Sequence, residues 1–99
     1  MNERFTGYFG HPDFHDAEVV SIQQENAAIE VTLRSEQGAC YVVSFRNASV
    51  LSRNPIGMRL YAISRMAEPN NSTRHVFVNW DEQIDSALEI TSEGEPTVR

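Results

Sequence analysis
Apolar and polar side chains alternate along most of residues 27–46. Ile29, Val31 and Leu33 alternate with Glu30, Thr32 and Arg34, and Tyr41, Val43 and Phe45 alternate with Cys40, Val42, Ser44 and Arg46. Successive side chains of a strand point to opposite faces, so each apolar set marks one face to be buried. Ser35-Glu36-Gln37-Gly38 lies between the two runs, and Gly38 permits the turn. The pattern predicts a hairpin of strands 27–34 and 39–46, with Val31 and Phe45 in the core. A less regular run, 17–24, predicts a strand before it, and Gln24-Glu25-Asn26 turns the chain between them. Short turns make sequential strands pair, so the expected order is 17–24, 27–34, 39–46, antiparallel.

The second half is less regular. Residues 47–57 are rich in Ser, Asn, Pro and Gly and read as a loop anchored by Val50 and Leu51. The segment after it reads two ways. As a helix over 55–67, Asn54 caps it and Ile56, Leu60, Ile63 and Ala67 form its stripe. As a strand, Met58, Leu60, Ala62 and Met66 share one face, and Arg59, Tyr61, Ile63 and Arg65 share the other. The strand is preferred because it extends a sheet already half built. Residues 67–73 are a loop. Arg74–Trp80 is a strand with apolar groups on both faces, which suits a central position. Ser86–Thr91 is the last strand, with Leu88 and Ile90 inward. Residues 93–99, with Gly94, Pro96 and two glutamates, read as a disordered tail.

These elements define an all-β domain over residues 1–92, an antiparallel meander or partly open barrel of about five or six strands. Phe5, Tyr8, Phe9 and Phe14 lie in the first sixteen residues, four of the nine aromatic residues in the protein. Aromatic side chains bury large areas, so residues 1–16 are read as an irregular arm packed over one end or edge of the sheet.

With 99 residues and 40% apolar content the chain can bury one modest core. Cys40 is the sole cysteine, which excludes an internal disulfide and a cysteine-based zinc site. It is expected to be a semi-buried, inert thiol on the face opposite Tyr41. No segment has the apolar length of a signal core or a membrane span, so a cytoplasmic protein with no membrane partner is expected.

The net charge of −6 is divided unevenly: −5 over residues 1–36, +4 over 37–67 and −5 over 68–99, with arginine as the sole basic residue type besides histidine. An acidic chain excludes a nucleic-acid partner bound by phosphate neutralisation. The basic middle, with Arg46, Arg59 and Arg65, fits a carboxylate, a phosphate or an acidic protein surface, or pairs with acids on neighbouring strands.

Chemistry has few places to reside. His11, Asp13, His15 and Asp16 are the one set of metal-ligand types close in sequence. Pro12 and Gly10 break the regularity a site would need, so no metal and no cofactor are expected, and a metal-dependent enzyme built there is the least favoured function. No nucleophile elbow, phosphate loop or metalloprotease motif occurs. Asp81, Glu82 and Asp85 read as a solvated acidic turn. Trp80 reads either as core beside Val76 and Val78 or, with Tyr61, as a recognition surface.

The run F-H-D-A-E-V-V-S-I, the later V-S-F-R-N-A, G-M-R-L-Y-A-I-S-R-M and H-V-F-V-N-W-D-E resemble a group of small bacterial proteins of unknown function in which an F-H-D or L-H-D opening precedes a β-meander. Some similar small β-rich domains are regarded as immunity proteins, which bind and block a toxin. The absence of a catalytic motif, the acidic surface and the exposed edges of a meander sheet point to a non-catalytic interaction module, either a homodimer or a partner binder of the immunity type. Its expected surface comprises Arg46, Arg59, Tyr61, Arg65, Trp80, Asp81, Glu82 and Asp85. In a homodimer Arg59 and Arg65 of one copy would face the acidic turn of the other. The alternative is a small-anion binder using an arginine of the 46–65 segment.

Overall fold
The computed structural model describes residues 5–9, 14–80 and 85–99. It is all-β and antiparallel. The strands are β1 (Phe5–Phe9), β2 (Glu18–Glu25), β3 (Ala28–Arg34), β4 (Cys40–Phe45), β5 (Ser49–Arg53), β6 (Leu60–Ala67), β7 (Ser72–Asn79), β8 (Ala87–Glu93) and β9 (Thr97–Val98). They form two sheets, ordered β1-β6-β7-β8-β5 and β2-β3-β4-β9. The hairpins β2–β3 and β3–β4 pair as their alternation predicts, with Val31 opposite both Ile22 and Val43. Asn26, at φ 55, makes the first turn. Gly38, at φ 94, makes the second, where a side chain would be strained. Ser35 closes that turn: its amide donates to Ala39 O at 2.7 Å, and its hydroxyl accepts the Ala39 amide at 3.0 Å.

The inner faces of the sheets pack on each other. Ile29, Val31, Leu33, Val43 and Phe45 from one meet Ile63, Phe77, Leu88 and Ile90 from the other in one buried cluster. Phe45 lies across the interface, with ring centroids 5.3 Å from His75 and 6.2 Å from Phe77.

Along one side the sheets are stitched together rather than closed into a barrel. The Val19 amide donates to Met58 O, the Gly57 amide to Val19 O, the Leu60 amide to Ala17 O and the Asp16 amide to Leu60 O, all at 2.8–2.9 Å. The register of β2 shifts between Val19 and Ser21, and that of β6 between Leu60 and Ala62. A bulge bends a strand, and here the two bends form the corner where β2 and β6 turn towards each other.

Several expectations are corrected. The all-β antiparallel class holds, with nine strands among the described residues, in two sheets rather than five or six in one. The ambiguous segment forms a strand over Leu60–Ala67, as preferred, but the bulge breaks its alternation: Leu60 and Ile63 are both buried, and Tyr61 is exposed. The expected loop 47–57 contains β5, which pairs with β8 from Ser49↔Thr91 to Arg53↔Ala87. The arm includes a strand, β1, antiparallel to β6. The expected tail contains β9. Val42 and Arg99 exchange amide-to-carbonyl hydrogen bonds at 2.9 and 3.0 Å, Pro96 is buried, and Gly94 turns the chain at φ 73. A Cβ on Gly94 would lie 2.9 Å from Arg46 Nη2. Cys40 is exposed, because it opens β4 where the hairpin turn leaves it uncovered.

Candidate functional site
The stitched corner displays three aromatic rings. The chain turns at His15 and Asp16, the latter at φ 70, before entering β2. Tyr61 is the bulged residue of β6, and Trp80 follows the last residue of β7. The Trp80 amide donates to Arg59 O at 3.0 Å, which holds the end of β7 against the start of β6. His15 Nδ1 lies 2.8 Å from Tyr61 O. A carbonyl oxygen only accepts, so the hydrogen is on Nδ1 and Nε2 faces outward, 3.9 Å from Asp16 Oδ2.

The three rings contact one another edge to face, with centroid separations of 5.3 Å for His15–Tyr61, 5.3 Å for His15–Trp80 and 4.9 Å for Tyr61–Trp80. This is the favoured geometry for aromatic pairs. Tyr61 is nevertheless 45% and Trp80 46% exposed. Trp80 is therefore not core, and the core reading is corrected. Val76 and Val78, its expected companions, lie on the outer face of the sheet and are half-buried, whereas His75 and Phe77 point inward. A groove of about 360 Å³ runs beside Trp80, walled by Ile56, Met58, Arg59, Asn79 and Ser86. Ile56 is 58% exposed. Three of the exposed large apolar side chains thus adjoin one another instead of being scattered.

The arginines expected to act together are separated. Arg59 and Tyr61 are at the aromatic corner. Arg65 lies further along β6, opposite His75, and pairs with Glu95 at 2.8 Å. Arg46 is at the end of β4, beside a groove of about 460 Å³ whose walls include Glu25 and Glu30. Asp85 is paired with Arg53, and its carbonyl accepts from Asn54 Nδ2 at 3.2 Å. Arg65 and Asp85 each have an ion-pair partner in the same chain. Asp81 and Glu82 lie outside the described residues.

His11 and Asp13 also lie outside the described residues, so the expected ligand set is described for His15 and Asp16 alone. Among the described residues no group of three His, Cys, Asp or Glu side chains could hold a metal. Sequence reasoning missed His15 as a member of the aromatic cluster. The signal was the F-H-D turn itself, but alternation says nothing about which distant ring a turn residue meets.

Among the described residues, two carboxyl or imidazole groups are perturbed. The Arg99 guanidinium, with help from the Ser44 hydroxyl, holds the Glu30 carboxyl below its usual value, against a smaller opposing effect of burial. Burial pushes the His75 imidazole down. Arg65 acts in the same direction, while Glu95 and the Ile90 backbone oppose it.

Among the described residues no helix is long and apolar enough to cross a membrane. Comparison with known proteins finds no matching family model, no matching curated protein and no matching solved structure.

Proposed function
We propose that this chain is a non-catalytic protein-interaction module whose contact surface is the corner formed by His15, Tyr61, Trp80, Ile56 and Arg59. The observation that carries the reading is the packing of Tyr61 and Trp80 into a fixed, exposed cluster beside exposed Ile56. Interfaces favour aromatic and arginine side chains, and contiguous exposed apolar groups mark contact sites. Rings locked against each other also lose little further freedom on binding. The resemblance to small bacterial β-rich proteins, some of immunity type, points the same way, and one cysteine in an acidic chain suits a cytoplasmic setting. The partner is a protein, either another kind of chain or a second copy.

The anion-binding alternative is weaker at Arg46, where Glu25 and Glu30 share the groove, and at Arg65, which already has Glu95. It keeps Arg59.

Site-specific photo-cross-linking in cells of the source organism tests the reading. A photoreactive residue at position 61 should yield a discrete cross-linked protein adduct. The same residue at position 32, on the outer face of the second sheet, should not. An adduct from position 32 with none from position 61 would reject the corner as the contact surface.

A further inference from the structure
We propose that the groove beside Trp80 takes a partner's acidic residue flanked by apolar ones, with Arg59 as the anchor for its carboxylate. This deepens, and rests on, the reading of the corner as a contact surface. Seven arginines are described, and five have ion-pair partners. Arg34 pairs with Glu18, Arg53 with Asp85, Arg65 with Glu95, Arg74 with Glu68 and Glu89, and Arg99 with Glu30. Among the described residues Arg46 and Arg59 have none.

The placement of Arg59 makes this notable. Glu18 is its neighbour across the β2–β6 bridge, but the Glu18 carboxylate is held by Arg34 at 2.7 Å. Asp85 precedes the groove residue Ser86, but it is held by Arg53. Glu18 and Asp85 are thus turned to other arginines, and Asp16, whose amide donates to Leu60 O, lies beside His15, with its Oδ2 3.9 Å from His15 Nε2. A guanidinium beside apolar walls binds a carboxylate by paired hydrogen bonds that a neutral isostere cannot match. Ile56, Met58 and Trp80 supply those walls and would cover neighbouring apolar side chains.

The chemistry also limits how acidic the partner segment is. The chain carries −6 overall, so a run of acids would be repelled before docking. One carboxylate between apolar residues meets Arg59 without that penalty. Arg46 does not offer an equivalent site, because glutamates share its groove.

Trp80 is the single tryptophan, so its fluorescence and its indole N–H signal report on the groove directly. The full chain is titrated with acetyl-Leu-Glu-Leu-amide and with acetyl-Leu-Gln-Leu-amide. The glutamate peptide should bind about tenfold more tightly, the range expected of a charge-assisted contact. Arg59→Gln should bring that ratio to about one, and Arg59→Lys, which keeps the charge without the planar fork, should give an intermediate ratio. Thermal melts confirm that both variants fold. Equal affinities in the wild type, an undiminished ratio in Arg59→Gln, or no response of Trp80 to either peptide at millimolar concentration would each overturn the anchor. The cross-linking from position 61 judges the contact surface separately, so the two failures are distinguishable.

Discussion

His75 shows how one residue couples burial to pH. It sits on the inward face of β7 between Arg65 and Ile90, with Phe45 across the interface. Removing an imidazole from water disfavours its charged form, which lowers its pKa below the ordinary 6.5. The unfolded chain then takes up this proton more readily than the folded one. Stability is therefore full above pH 6.5 and declines as pH falls from there towards the lowered folded value. Urea unfolding at pH 8 and pH 5.5 should show a smaller free energy at the lower pH, and His75→Leu should reduce the difference. A wild type equally stable at both would mean that His75 is not held neutral. Composition could not reveal this residue, because alternation placed His75 beside Phe77 on one face of β7 but did not say which face was inward.

At the scale of elements, legibility followed local pattern. The strands β2, β3 and β4 could be read because period-two alternation and short turns agree on one register. The bulge at Tyr61 could not, since it depends on β6 leaving one sheet to meet β2. Strand β5 was hidden by its turn-like composition: Val50 packs on the core, Leu51 is 68% exposed, and pairing with β8 makes it a strand. Strand β9 was hidden because two residues carry no period. It is held by backbone pairing with Val42 and by Arg99 reaching Glu30 and Ser44. Removing residues 97–99 should expose the Val42 amide and speed its hydrogen exchange at least about tenfold, while β3 amides keep their protection. Equal exchange in both forms would mean that β9 does not protect β4. Glu30 adds a pH dependence with a known sign. Its depressed carboxyl contributes stability above the usual carboxyl range, and that contribution is lost as pH falls through the lowered value.

Across the whole molecule, described aromatic side chains fall into a buried and an exposed group. Phe14, Phe45 and Phe77 are buried between the sheets, whereas Tyr61 and Trp80 stand exposed at the corner with His15. The sequence placed the apolar faces of the central hairpin correctly, yet it left Trp80 between core and surface. A tryptophan beside two valines on a strand satisfies the same pattern whichever way that face points. Folding depends on the first group, and the proposed contact uses the second. Urea unfolding of Phe45→Ala and Trp80→Ala, each against the wild type, measures that division. Phe45→Ala should cost about 3–5 kcal/mol through lost burial and the cavity left behind. Trp80→Ala should cost less than about 1.5 kcal/mol, because half of the ring already faces water and its neighbours are themselves exposed. A Trp80→Ala loss as large as that of Phe45→Ala would contradict the account and return Trp80 to the core.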